Sequence, residues 1–152
     1  MKPTDDLRVK GYRKLLEPGM LKQELALSPA AHDTVLSGRS AVNKILSKED
    51  KRLLVITGPC SIHDENAAYE YADKLKKLQG QVSEALFVVM RVYFEKPRTS
   101  VGWKGLINDP RLDGTCDIME GLRKARLILL RINEIGVPAA TEFLETITPQ
   151  YV

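Results

Sequence analysis

The sequence predicts an α/β fold in which parallel strands alternate with helices. From residue 51 onward, three apolar segments with strand character are separated by two stretches with helical periodicity. This order of strand, helix, strand, helix and strand is typical of a parallel sheet with right-handed crossovers. Hydrophobic residues make up 43% of the 152 residues and charged residues 28%, which favours a globular chain over a disordered one.

Residues 1–48 form an N-terminal region, which we interpret as an arm followed by a helix. Ser28 and Pro29 mark the start of the helix, because serine can cap a helix and proline suits its first position. Gly38 should weaken the middle of this helix. The apolar positions that recur at helical spacing are Val35, Leu36, Val42, Ile45 and Leu46. We expect residues 1–27 to be an arm that packs on another surface.

Residues 49–152 carry the alternating pattern. The runs 53–56 and 86–90 are short, continuous and apolar, as in strands that are buried on both faces of a parallel sheet. Between them, Asp64 can cap a helix that ends near Gly80. The apolar face of this helix consists of Ala68, Tyr71, Ala72, Leu75 and Leu78.

A long segment rich in Gly, Pro, Lys and Arg, residues 93–115, follows the second strand. Cys116 then flanks a second amphipathic helix and is expected to carry no chemistry, and Gly136 is its predicted stop. The apolar positions of that helix are Ile118, Leu122, Ala125, Leu129 and Ile132. We predict a third strand over residues 137–143.

Two architectures fit this order: a small open sheet, or the opening of a (β/α)8 barrel. A complete barrel takes about 250 residues. Three strands cannot close a barrel, and no helix follows the third predicted strand. An open edge and an uncovered face favour association, so we expect the isolated chain to be poorly stable.

Composition excludes several classes of protein. The net charge of +3 is too small to argue for nucleic acid binding. The sequence has no apolar run of the roughly 18 residues that a membrane span requires, and its polar first residues do not resemble a signal peptide. Cys60 and Cys116 do not form a disulfide framework at this length, so we expect reduced thiols and a cytoplasmic location.

The candidate ligand site follows the strands, because ligands bind at the carboxyl ends of parallel strands. Four basic residues lie in a stretch of fourteen positions at the end of the second strand: Arg91, Lys96, Arg98 and Lys104. Guanidinium and ammonium groups with a nearby threonine hydroxyl suit a small phosphate ligand. A solvated charged loop is the alternative, but a loop of this length in a compact domain favours a function.

Cys60 follows the first strand, and it is a metal ligand, a nucleophile or a small buried side chain. His63 is close in sequence, but one cysteine and one histidine do not make a site, so most other ligands must come from elsewhere. Glu142 at the third strand is either a functional carboxylate or a structural ion-pair partner. Trp103 is more typical of a packing anchor for the loop than of a stacking platform.

Several motifs together resemble the type I, microbial and feedback-regulated, 3-deoxy-D-arabino-heptulosonate-7-phosphate (DAHP) synthases. Residues 58–64 (GPCSIHD) are similar to the motif after the first barrel strand of that family, and residues 91–110 (RVYFEKPRTSVGWKGLINDP) to its signature loop. Residues 121–123, 140–144 and 148–151 continue the resemblance, which covers essentially the whole chain. It implies the first three strands of a (β/α)8 barrel, preceded by an N-terminal helical extension at 1–48, with 49–152 as the barrel portion.

The resemblance implies a transferase that condenses phosphoenolpyruvate with D-erythrose 4-phosphate. This is the first step of the shikimate pathway to chorismate and the aromatic amino acids, and it depends on a divalent metal (Mn, Fe, Co or Zn). Cys60 is the implied metal ligand, and Lys96 the implied catalytic residue. The implied substrate-binding residues are Arg91 and Lys96 for phosphoenolpyruvate, Pro97, Arg98 and Thr99 for erythrose 4-phosphate, and Glu142 beside the phosphoenolpyruvate site.

The family's other metal ligands lie in the second half of its barrel, which this chain lacks, so we expect the isolated chain to be inactive. The resemblance also implies a homo-oligomer when complete. It implies an aromatic amino acid effector bound by Asp5, Asp6, Thr146 and Gln150, and the phenylalanine-sensitive type is most similar. Alternatives are a related phosphoenolpyruvate-dependent aldose-phosphate synthase, or a non-catalytic regulatory or assembly fragment.

Overall fold

The computed structural model describes residues 4–9, 11–97 and 101–152. Helices α1 (Pro18–Glu24) and α2 (Pro29–Leu46) come first. They are followed by β1 (Leu53–Thr57), α3 (Glu65–Val82), β2 (Leu86–Arg91), α4 (Ile118–Glu134) and β3 (Ala139–Ala140). A 3-10 turn, Thr148–Gln150, lies near the end of the chain. The predicted order of strands and helices is thus confirmed.

The three strands form one parallel sheet in the order β1, β2, β3. Leu53 pairs with Leu86 at the start of β1 and β2, whereas β3 pairs with β2 only through its two residues. The third strand is therefore in the predicted place but much shorter than residues 137–143. Pro138 has no N–H group to donate to the ladder, and beyond Ala140 the chain leaves the sheet.

Short polar side chains cap the three long helices. Ser28 accepts a hydrogen bond from the N–H group of Ala31 at the start of α2, and Asp64 accepts one from Ala67 at the start of α3. Both caps are as predicted. Asp117 caps α4 in the same way, directly after Cys116, which adopts a φ of 54°. Since each capping group satisfies an N–H group that the helix leaves unpaired, the three starts are fixed locally.

The hydrophobic core lies between one face of the sheet and helices α3 and α4. Met90 of β2, Ala72 of α3 and Ala125 of α4 are completely buried in it. The segment after β2 also contributes, because Phe94 and Leu106 are almost completely buried. Parts of the predicted loop over residues 93–115 therefore belong to the core, whereas other described parts, such as Val101 and Leu112, are exposed.

The other face of the sheet is open. Ile56 of β1 is 54% exposed and Phe143, after β3, is 52% exposed. Both line a cavity of about 1020 Å³ between the sheet, α2 and α4. At one end of this cavity α2 approaches the chain closely, because a Cβ atom at Gly38 would lie 3.0 Å from that of Pro138. The glycine that weakens the helix thus allows this contact.

The N-terminal arm has an exposed part and a packed part. Residues 4–9 and 11–14 are exposed, whereas Leu21 of α1 is completely buried. The Tyr151 hydroxyl donates to the Leu16 carbonyl at 2.7 Å, and Arg123 of α4 donates to both carboxylate oxygens of Glu24. The arm from residue 16 onward therefore packs on the chain's own fold. The division at residues 48 and 49 stays a prediction. Among the described residues, no helix is long and apolar enough to cross a membrane.

Candidate functional site

The segments that follow β1 and β2 meet at the carboxyl end of the sheet. Gly58 and Pro59 carry the chain from β1 directly past Arg91, the last residue of β2. A Cβ atom at Gly58 would lie 2.4 Å from the Arg91 carbonyl oxygen, a steric overlap that only glycine avoids because it has no Cβ atom. Ile62 then donates its N–H group to the Tyr93 carbonyl at 2.8 Å. The two segments are therefore held side by side by backbone contacts.

A side-chain contact between the two segments joins Lys96 and Cys60. The ammonium nitrogen of Lys96 donates to the Cys60 sulfur at 2.9 Å, although the residues are 36 positions apart. Cys60 is exposed, so both groups are accessible to a ligand. The structure thus brings together the predicted metal ligand and the predicted catalytic lysine.

Arg91 lies beside this pair. Its guanidinium stacks on the Tyr93 ring at 4.0 Å and donates through Nη2 to the Cys60 carbonyl at 3.4 Å. The Arg91 Nε atom is buried and has no hydrogen-bond partner among the described residues. Because buried polar groups are normally paired, an unsatisfied guanidinium N–H group at a strand end is suited to an anionic ligand.

A short antiparallel pairing positions the loop that carries Lys96. Glu95 pairs with Gly105, and the Lys96 N–H group donates to the Lys104 carbonyl at 2.9 Å. Gly105 has a φ of +106°, and a Cβ atom there would lie 2.1 Å from the Phe94 carbonyl oxygen. This position therefore requires glycine, both for its φ value and for its close backbone contact.

Trp103 fixes the far side of the same loop. Its indole N–H donates to the Asp109 carbonyl at 2.8 Å, and its ring packs against the core. The prediction that Trp103 is a packing anchor is thus confirmed. Pro97 is exposed next to Lys96. Arg98 and Thr99, predicted to hold a phosphate, lie outside the described residues.

Glu142 follows β3 and is half-buried, and its charge contributes to raising the pKa of Glu95. Glu95 is the acidic residue that the sequence did not single out, although it interrupts a basic segment. Its side chain is only 9% exposed. Burial raises the pKa of its carboxyl, and the charges of Glu145 and Glu142 raise it further, whereas hydrogen bonds from Asn108 and Thr148 oppose the shift.

The raised pKa of Glu95 gives a prediction about stability. The folded state binds the proton more tightly than the unfolded state, so stability is lost as pH rises from the ordinary value for glutamate through the raised value. Glu95→Gln removes this loss, because a neutral amide avoids the cost of burying a charge. We expect the variant to melt at a higher temperature than the unsubstituted protein at pH 8, and the difference to vanish near pH 4.

The matched control is Glu84→Gln, on the exposed turn before β2. Its melting temperature should follow that of the unsubstituted protein across the same pH range, as measured by circular dichroism. If Glu95→Gln melted at a lower temperature than the unsubstituted protein at pH 8, the buried Glu95 carboxylate would not destabilise the folded state.

The four predicted effector residues fall into two separate pairs. Asp6 accepts a hydrogen bond from the Tyr12 hydroxyl at 2.8 Å, which raises the pKa of that hydroxyl. The Gln150 amide donates to the Thr146 carbonyl at 3.2 Å. Asp5 and the other three residues are exposed, and in the described part of the chain no hydrogen bond joins the arm to residues 146–150. An effector pocket formed by these residues stays a prediction.

Cys60 is a single metal donor. In residues 4–9, 11–97 and 101–152, no group of three or more His, Cys, Asp or Glu side chains could hold a metal ion. His63 is exposed nearby but does not complete a site. Cys60 as one ligand of a metal centre stays a prediction, and the other ligands of such a centre would have to come from elsewhere.

Comparison with known proteins shows the family of the chain. Residues 27–152 match the DAHP synthetase I family. The chain is 55% identical over 149 residues to the Phe-sensitive phospho-2-dehydro-3-deoxyheptonate aldolase of Escherichia coli (strain K12), which covers 98% of the chain and 43% of that relative. The Trp-sensitive enzyme of the same strain is 51% identical over 152 residues, an alignment that covers 100% of this chain and 44% of that relative. The chain thus spans less than half the length of these relatives.

A third relative is shorter. The phospho-2-dehydro-3-deoxyheptonate aldolase of Amycolatopsis methanolica is 50% identical over 148 residues, 97% of this chain and 73% of the relative. The solved structure of the phospho-2-dehydro-3-deoxyheptonate aldolase of Francisella tularensis SCHU S4 superposes with a TM-score of 0.91 at 46% identity, covering 94% of this chain and 42% of that one. The predicted α/β fold with an incomplete barrel is confirmed.

Proposed function

The chain belongs to the DAHP synthetase I family, and from that premise we propose that a full-length protein containing it condenses phosphoenolpyruvate with D-erythrose 4-phosphate. The observation that carries this proposal is the contact of 2.9 Å between Lys96 and Cys60, with Arg91 beside them. Two basic groups and a thiol that can bind a metal, all at the carboxyl end of the sheet, match the requirements of a reaction between two phosphorylated substrates.

The basic side chains provide binding and orientation. Arg91 offers a planar fork of N–H groups for the carboxylate or phosphate of phosphoenolpyruvate, and Lys96 offers a compact charge for the same ligand. Pro97, Arg98 and Thr99 follow directly and hold the phosphate of erythrose 4-phosphate. Fixing both anions in this way brings the nucleophilic carbon of phosphoenolpyruvate to the aldehyde without the entropy loss of a bimolecular encounter.

We assign Glu142, which follows β3 and is half-buried, to the edge of the same site beside phosphoenolpyruvate. Its carboxylate limits how anions can bind there, because a like charge is repelled. A divalent metal bound at Cys60 would polarise the aldehyde carbonyl as a Lewis acid. Since this chain supplies one donor, the metal requires further ligands from a longer protein.

The open face of the sheet also supports the need for more chain. Ile56, Leu36 and Phe143 are each more than half exposed on the cavity beside α2, and apolar surface of that kind is stable only when covered. We therefore expect the 152-residue chain to be inactive alone. Because the relatives carry the names Phe-sensitive and Trp-sensitive, we also propose an aromatic amino acid regulator for the longer protein. A homo-oligomer is proposed on the family resemblance alone.

A turnover assay tests the proposed function. The purified chain and a full-length protein containing it are each mixed with both substrates and Mn²⁺, and release of inorganic phosphate is followed. We expect turnover by the full-length protein and its loss on chelation with EDTA, with recovery when Mn²⁺ is restored. Omitting either substrate is the control, since a condensation needs both.

Three results would contradict parts of the proposal. Turnover by the isolated chain would show that its residues suffice for the reaction. Inactivity of the metal-loaded full-length protein with both substrates would overturn the function itself, and phosphate release with another phosphorylated aldose would assign the chain to a related synthase.

A further inference from the structure

Glu95 is a buried acidic residue to which the proposed function gives no role. It is 9% exposed and precedes Lys96 directly. Burying a carboxylate costs folding free energy unless a partner compensates it. Among residues 4–9, 11–97 and 101–152, no ion pair involves Glu95. Its presence at this position therefore calls for an explanation other than stability.

The two carboxylate oxygens of Glu95 contact different parts of the chain. The Asn108 amide donates to Oε1 at 3.4 Å, and Asn108 belongs to the same loop as Glu95. The Thr148 hydroxyl donates to Oε2 at 3.5 Å, and Thr148 begins the 3-10 turn after β3. The Glu95 side chain thus links the loop after β2 to the segment after β3.

Each end of this link is held independently. On the loop side, Glu95 pairs with Gly105, and the next N–H group along the chain, that of Lys96, donates to Lys104. On the turn side, the Glu145 carboxylate accepts hydrogen bonds from the N–H groups of Ile147 and Thr148. A displacement of the Glu95 side chain would therefore move the Lys96 backbone relative to a fixed turn.

We infer that Glu95 is a positioning residue for Lys96: by tying the loop to Thr148, it keeps the Lys96 ammonium beside Cys60. The inference rests on the proposed function, in which Lys96 contacts the substrates. Both hydrogen bonds of Glu95 are long, so each is weak and the effect is moderate. A shift of Lys96 by a fraction of an ångström lowers kcat about tenfold, because misplacing a group by 1 Å costs about a hundredfold.

The test uses steady-state kinetics of the full-length protein at saturating Mn²⁺, with kcat expressed per folded molecule. We expect Glu95→Ala to lower kcat about tenfold, with KM for phosphoenolpyruvate changed less than about threefold. Thr148→Val removes the donating hydroxyl at nearly constant volume, and should lower kcat severalfold. Thr148→Ser keeps the hydroxyl, so kcat should return close to that of the unsubstituted protein. Glu84→Gln on the exposed turn before β2 is the surface control.

The double variant Glu95→Ala with Thr148→Val distinguishes a link from two separate effects. If the two residues act together, its kcat should equal that of Glu95→Ala alone. If the double variant instead lowered kcat by the product of the two single factors, the inference would be overturned. A Thr148→Val protein with unchanged kcat would overturn it as well. Absence of turnover in the unsubstituted protein would overturn the proposed function and this inference with it. Normal turnover combined with a silent Glu95→Ala would overturn the inference alone.

Discussion

Replacing Lys96 with alanine should lower kcat of the full-length protein by about a hundredfold or more, a range typical for loss of one preorganised electrostatic group. The Lys96 ammonium lies 2.9 Å from the sulfur of Cys60, the residue that would hold a metal in the proposed function. In the proposed reaction, a positive charge held there would stabilise the negative charge that develops on the aldehyde oxygen. Because the negative charge develops in the transition state, loss of the Lys96 ammonium should lower kcat as well as weaken substrate binding.

The measurement is a full kinetic analysis of Lys96→Ala with both substrates. Lys77→Ala is the matched control, since Lys77 is an exposed residue of α3. We expect the control to keep the kinetics of the unsubstituted protein. If Lys96→Ala raised only KM and left kcat unchanged, Lys96 would contribute binding alone, and its assignment as a catalytic residue would be wrong.

Those parts of the fold that depend on local sequence could be predicted. The caps at Ser28 and Asp64 involve residues three positions apart, so the sequence alone specifies them. The apolar runs predict β1 and β2 as strands. The expected continuous burial is found at Val88, Val89 and Met90 of β2, whereas every residue of β1 is at least partly exposed because the other face of the sheet is open. The sequence also predicts that Cys60 and Lys96 lie near each other, because neighbouring parallel strands end at a common edge of the sheet.

Contacts between distant segments could not be predicted in the same way. The pairing of Glu95 with Thr148 joins residues 53 positions apart, and its geometry depends on where the chain goes after β3. That path differed from the prediction, since β3 ends at Ala140. Likewise, Gly38 appeared as a weakness in α2, and its contact with Pro138 becomes visible only once the helix is packed.

Gly121→Ala should destabilise the fold by about 3 kcal/mol, at the upper end of the usual cost of overpacking. Gly121 lies in the first turn of α4, where the helix rests on the loop that carries Lys96. A Cβ atom there would lie 2.0 Å from the carbonyl oxygen of Ile107 and 2.6 Å from its carbonyl carbon. These are backbone atoms of a buried residue, so no side-chain rotation can relieve the overlap.

Gly80→Ala is the matched control, because it makes the same chemical change inside α3. An added Cβ atom at Gly80 meets nothing within 4 Å. Alanine should therefore stabilise that helix, by about 0.5–1 kcal/mol, through its higher helix propensity. Urea denaturation followed by circular dichroism should thus give midpoints that move in opposite directions. A Gly121→Ala protein with an unchanged midpoint would show that the backbone at Ile107 can move away from α4, and that the loop is less tightly packed than the structure indicates.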